Sequence, residues 1–312
     1  MADLSSTEMA FSGFGLMQRK PMMVVGWAGL FLAFNLIVSL GTIVTIGPKL
    51  QELTRASSTP GDPAALGELF LTIAPWYLVL IAAALGFYAV ISASAYRAML
   101  RPDQGAPFHL AFGSDEIRLV LLALIFFLLA IAAYFALVIF VVVLAALGGV
   151  LGAVLGGQDN PATVGLVVGL LVVVGIFVSV GAVVFFGTRL SLAAPATFAR
   201  GELVVFKSWS LTKGKFWALF GGYFLNIVLF VIIELLLIVA LVVAVSGAFS
   251  MDAYQSMQTE RLTSVAAFFS PVSILVTIGG AAISAIAYAY LLAPAAYAYR
   301  VLTGPDVGTT FG

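Results

Sequence analysis

Cysteine is absent from the 312 residues, which excludes disulfides, thiolate metal sites and thiol nucleophiles together. Histidine occurs once, and charged residues make up 9% of the chain, against about 25% in a soluble globular domain. Fourteen basic and fourteen acidic residues cancel, so no electrostatic footprint points to nucleic acid. The motifs of common catalytic centres are missing as well: no phosphate-binding Gly-rich Lys loop, no His-Glu-x-x-His and no nucleophile elbow. The apolar stretches hold no pair of carboxylates for acid–base work. Neither an enzyme active site nor a metal or cofactor is expected.

What the chain has is apolar length. Hydrophobic residues reach 62% and the mean hydropathy is +1.16. Six segments, 22–46, 69–95, 119–157, 164–186, 216–249 and 265–292, each exceed the ~20 residues that cross a bilayer core. The run after Arg19-Lys20 is too long for the apolar part of a cleavable signal and reads as an uncleaved first span. The expected fold is all-α: a single transmembrane domain over 1–312, six helices arranged as three hairpins, and a disordered tail at 303–312.

Charge sets the orientation. Arg19, Lys20, Arg97, Arg101, Arg118, Arg189, Arg200, Lys207, Lys213, Lys215 and Arg300 fall on one side of a six-span topology, and Lys49, Arg55 and Arg261 on the other. That asymmetry places the first group, and both termini, in the cytoplasm. A multi-pass protein of a bacterial inner membrane follows. The third segment tests this reading. As one helix its 39 residues would be roughly 58 Å long against a core of about 30 Å. Splitting it at Gly148-Gly149 would add a seventh span and push the basic 189–217 loop outside. One long helix, its Gly-rich end projecting past the far boundary, keeps the charge pattern.

Short aromatic motifs precede the odd-numbered spans: Phe11–Phe14, Phe108–Phe112 and Phe206–Trp209. They suggest an internal repeat (1–100, 101–200, 201–302), each unit entered by a short elbow helix lying in the cytoplasmic interface. The elbows are expected near residues 9–16, 107–112 and 202–209. Phe206-Lys-Ser-Trp-Ser-Leu-Thr-Lys-Gly-Lys-Phe-Trp217 and Phe112-Gly-Ser-Asp-Glu-Ile-Arg118 resemble elements of uncharacterised bacterial six-span membrane proteins. Those proteins are distantly similar to the membrane domain of glycerophosphodiester phosphodiesterases. The resemblance implies a membrane fold and carries over no active site, because the soluble catalytic part of such enzymes is not among these residues.

Two groups of residues are candidate sites. Glu234 is the one acidic residue inside an apolar span. A carboxylate there is costly and marks a functional position by default, facing the bundle and protonated or paired. Tyr223 shares its helical stripe and Asn226 lies beside it. The second group, Arg200, Lys207, Trp209, Lys213, Lys215 and Trp217, suits the headgroup region, where cations attract anionic lipid. Gly148, Gly152 and Gly156, with Gly165 and Gly169, have the spacing of a close helix–helix seam between spans three and four. Asp115 and Glu116 read as dipole partners in a first helical turn capped by Ser114, rather than as metal ligands of His109. Thr212 reads as the cap of the fifth span. The expected partners are the bilayer, its anionic lipids, and another membrane protein. The expected function is that of a non-catalytic scaffold or accessory factor in an envelope or lipid-related process. The alternative is a small-molecule or lipid transporter working through Glu234. A lipid enzyme assembled from Asn35, Tyr88 and Arg97 ranks behind both.

Overall fold

The structure is a computed structural model that describes residues 4–56, 63–103, 107–156, 160–248, 250, 252 and 264–304. No strand occurs among them. The helices are α1 (Ser6–Arg19), α2 (Pro21–Ala56), α3 (Pro63–Leu100), α4 (Ser114–Gly156), α5 (Pro161–Leu190), α6 (Ala193–Arg200), α7 (Ser208–Leu211), α8 (Phe216–Ala248), α9 (Val265–Phe268) and α10 (Pro271–Thr303). Six of them, α2, α3, α4, α5, α8 and α10, are long and apolar enough to cross a membrane. The expected tail and most of the outer loops lie outside the described residues.

Local chemistry sets the helix starts. Ser5 accepts from Glu8 N at 3.3 Å at the head of α1, half of a capping box. Asn160 accepts from Thr163 N at 3.2 Å ahead of Pro161, and Ser270 does the same for Ser273 N at 3.3 Å ahead of Pro271. Proline at the first helical position has no N–H to leave unsatisfied. The 43 residues of α4 run unbroken through Gly148-Gly149. With no proline present and no water in the hydrocarbon, the intrahelical hydrogen bond is the only partner each amide can find.

Most of the core lies at one end of the bundle, where most of the cations collect; a small second cluster, Val245 and Val272, joins α8 to α10 at the other. Every buried residue described in α3 falls within 89–98. There Ile91 and Ala95 pack with Trp27 and Phe31 of α2 and Ala285, Ala289 and Leu292 of α10. Tyr96 meets Leu119 and Leu122 of α4 and Phe198 of α6. A stripe on α1, Met9, Ala10, Gly13 and Leu16, is buried. Met9 closes on Gly222 of α8, and Gly13 on the Tyr290 backbone of α10. Phe11 and Phe14 remain exposed on the opposite face. The first span packs chiefly on the last: α2 lies more on α10 than on its own hairpin partner α3.

The α4–α5 hairpin is built differently. Its far half is closely paired: a Cβ on Gly148 would stand 2.8 Å from Val168 Cα, and one on Gly152 2.6 Å from Val164 Cα. Gly165 and Gly169 face open space, so at this end the seam uses glycines from α4 against backbone from α5, while farther along Gly175 of α5 closes on Leu144 of α4. The foot of α4 stands on α3 and α6, and that of α5 on α7 and α8. Between foot and seam, residues 127–136 of α4 are exposed on every face. The midsection of α4 is thus the part of the hairpin least covered by the rest of the chain.

The elbows do not share one conformation. The first is the 14-residue α1. The second is a single 3-10 turn, Pro107–His109, with Phe108 and His109 at φ 54° and 56°. Both lie in the left-handed region, disfavoured for residues with a Cβ. In the third, residues 202–207 are not helical, and the real helix is α6, upstream of the expected segment. It stops at Gly201 (φ 64°), whose N–H reaches Thr197 O, the usual left-handed helix stop.

Candidate functional site

Two polar assemblies sit at the core end. The first joins α3, α4 and α6. Arg97 Nη2 lies 2.6 Å from Glu116 Oε1, with both side chains almost fully buried. Its Nη1 donates to His109 O at 2.7 Å, which helps hold the left-handed turn. One helical turn on, Arg101 donates to Asp115 at 2.9 Å and to Phe198 O at 2.7 Å, and its guanidinium lies 4.6 Å from the Phe198 ring centre. Arg118 shares Asp115 at 3.0 Å. Ser94 accepts from Trp27 Nε1 at 2.8 Å and donates to Phe108 O at 3.2 Å. Asp115 and Glu116 thus fasten helices to one another and do more than offset a dipole. Ser114 is the first helical residue and not the cap. The i,i+4 spacing of Arg97 and Arg101, facing an acidic pair after one loop, was the available signal.

The second assembly joins α5, α7 and α8. Trp209 packs against Phe185 and Phe186 at 5.8 Å between ring centres. Phe216 lies 5.6 Å from Phe185 and 5.3 Å from Trp217. Arg189 enters this cluster with its guanidinium 5.5 Å from the Phe185 centroid and 5.6 Å from that of Trp209. The Thr212 hydroxyl, with one proton to donate, lies within hydrogen-bond reach of Arg189 O at 3.3 Å and of the α7 carbonyls of Ser208 and Trp209. It closes α7 onto the end of α5 instead of capping α8.

The expected headgroup residues are therefore divided. Trp209 and Trp217 share the aromatic cluster, and Lys213 and Lys215 lie on the turn that feeds it. Lys207 is engaged by Glu202 at 3.1 Å on the surface. Arg200 ends α6, apart from the cluster and beside the glycine that neighbours Arg118.

Glu234, Tyr223 and Asn226 do not form one site. Asn226 is buried and donates to Tyr290 O at 3.1 Å, tying α8 to α10. The Tyr223 hydroxyl is buried beside Ser191 without an acceptor in hydrogen-bonding geometry. Glu234 is half-buried at the margin of the α8 face and makes no hydrogen bond or ion pair among the described residues. An open pocket of about 380 Å³ lies between Arg19, Lys20, Met23, Phe108 and His109, away from all three. Asn35 spends its amide on Phe31 O at 2.9 Å within its own helix, and Arg97 is committed to Glu116, so these two do not converge with Tyr88. Among the described residues no cluster of His, Asp or Glu has the makings of a metal site. No protein-family model, curated protein or solved structure matches the chain.

Proposed function

We propose that this is a non-catalytic protein of a bacterial inner membrane, with the basic core end in the cytoplasm, acting as a scaffold or accessory factor in an envelope or lipid-related process. The observation that carries the reading is the exposed midsection of α4. Residues 127–136 of α4 are all exposed, and they are Phe-Leu-Leu-Ala-Ile-Ala-Ala-Tyr-Phe-Ala. Such a stretch is at rest only in an apolar medium, so acyl chains or the span of another protein cover it. The rigid base fits the same role, since a scaffold needs a fixed face from which to present a contact surface. Affinity purification in mild detergent, with mass spectrometry of bound proteins and lipids, tests the proposal. A stoichiometric protein or lipid retained by the native chain and lost on Leu129→Arg supports it. A protein that comes through bare, with its stability unchanged by removing lipid, sinks it.

One observation favours the transporter reading: Glu234 is unpaired on a span, where unpaired carboxylates serve proton or ion coupling. Solute flux in proteoliposomes, abolished by Glu234→Gln at unchanged expression, would establish that reading in place of the scaffold.

A further inference from the structure

Arg189 is the anomaly of the molecule. Its Nε and Nη1 are buried without a hydrogen-bond acceptor, and no carboxylate pairs with it among the described residues. The acids packed nearest to it are engaged elsewhere: Glu116 by Arg97, Asp115 by Arg101 and Arg118, and Glu202 by Lys207. Aromatic faces stabilise the cation only in part, and they supply no acceptor. Two idle, buried donors on a cation are a costly thing to retain.

The surroundings say what would satisfy it. A guanidinium fork matches a phosphate group with two parallel hydrogen bonds. The arginine stands in the last turn of α5, against Trp209 and two rings, Phe185 and Phe216, removed from Trp217, which is 77% exposed. Tryptophans of this kind sit at headgroup depth. Thr212 clamps the following turn onto the arginine's own carbonyl, which brings the exposed Lys213 and the left-handed Gly214 (φ 75°) to the same end. The geometry points to a phosphate-oxyanion site at the membrane boundary, with Arg189 as its anchor, the Phe185 and Trp209 rings as its walls, and Lys213 as a second cation at its mouth. This site deepens the lipid-related reading above and rests on it.

The test uses the full chain, delipidated in dodecyl maltoside and titrated with short-chain phosphatidylglycerol, with phosphatidylcholine of the same chain length, and with inorganic phosphate. Binding is read from tryptophan fluorescence, with Trp209→Phe assigning the signal. The wild type binds phosphatidylglycerol at least tenfold more tightly than phosphatidylcholine. Arg189→Gln weakens it by about tenfold or more, the scale of one charge-assisted contact. Arg189→Lys, which keeps the charge and loses the fork, falls between, and Lys207→Gln matches the wild type. Inorganic phosphate that competes at millimolar concentration assigns the site to a soluble phosphate compound, and failure to compete assigns it to a lipid headgroup. Equal binding by wild type and Arg189→Gln overturns the site and leaves the lipid reading standing; a wild type that binds neither probe removes both. Without lipid, Arg189→Gln unfolds at no lower temperature than the wild type. A marked drop would make Arg189 a structural residue and end the proposal.

Discussion

The Arg97–Glu116 pair should dominate the stability of the core end, and its replacement separates two kinds of contribution. In Glu116→Leu the Arg97 guanidinium keeps its bond to His109 O but loses the carboxylate 2.6 Å away. Both side chains are at least 94% buried, so water does not replace the lost partner. Stranding one member of such a pair costs about 3–5 kcal/mol, or roughly a hundredfold to a few thousandfold in the folded-to-unfolded ratio. Removing both members in Arg97→Met/Glu116→Leu should recover most of this and end within about 2 kcal/mol of the wild type, because the desolvation cost of each charge disappears with it. The residual loss reflects the His109 carbonyl, left without its donor. Unfolding by dodecyl sulfate in mixed micelles, followed by helical circular dichroism across the full double-mutant cycle, measures the coupling. Lys207→Ala removes the exposed pair with Glu202 and is the internal comparison, expected to cost below about 1 kcal/mol. A Glu116→Leu chain as stable as Lys207→Ala would refute the reasoning, as would a double variant as damaged as the single one.

Gly152→Leu should open the α4–α5 seam and lower the unfolding midpoint clearly, since its Cβ would meet Val164 backbone at 2.6 Å. Gly165→Ala, with nothing within 4 Å, should be neutral or slightly stabilising through its helix propensity; equal losses at both positions would contradict the one-sided seam. The cysteine-free chain also permits a direct test of orientation. Single cysteines at Asp159 and Gln255 should react with an impermeant thiol reagent from outside, and one at the exposed Lys213 should not. The reversed pattern would invert the proposed topology. Ser208 is a poor reporter position because it is fully buried.

Hydropathy and charge spacing made the six spans legible, including the continuity of α4, because length and the cost of bare amides in hydrocarbon leave little choice. The first elbow, expected at 9–16 from Phe11 and Phe14, is the longer helix Ser6–Arg19, and its signals, the Ser5–Glu8 cap and the stripe of Met9, Ala10, Gly13 and Leu16, lie on the face opposite those aromatics. The later elbows were not legible. Ala193–Arg200 reads as loop because Pro195 looks like a breaker, yet in the first turn of a helix its missing N–H costs nothing. Phe108 and His109 adopt left-handed angles that no local propensity favours; Arg97 and Ser94 hold their carbonyls from another helix. The buried pair itself joins residues 19 apart, beyond the reach of any helical periodicity. Arg189 was visible only as one more cation on the inner side. Its isolation depends on which acids the other cations have claimed, and that is settled by packing. Glu234 shows the converse: the sequence marks it as unusual, but only the arrangement of α8 puts it at the margin of a face.

The packing of the first span on the last has a consequence for how the chain is made. Leu16, Met23, Trp27 and Phe31 find their cover on Ala285, Ala289 and Leu292, and Glu8 accepts from the hydroxyl of Tyr297. None of those partners exists until nearly the whole chain has been synthesised. At about 5–20 residues per second, α1 and α2 wait roughly 12–50 s after their own emergence for α10 to arrive. The α4–α5 hairpin needs no such delay, because its seam joins neighbours in sequence and can close as soon as both helices are in the bilayer. Assembly thus runs from the middle outward, and a ribosome that stops before Pro271 leaves a membrane-inserted chain whose amino-terminal face is still unclaimed.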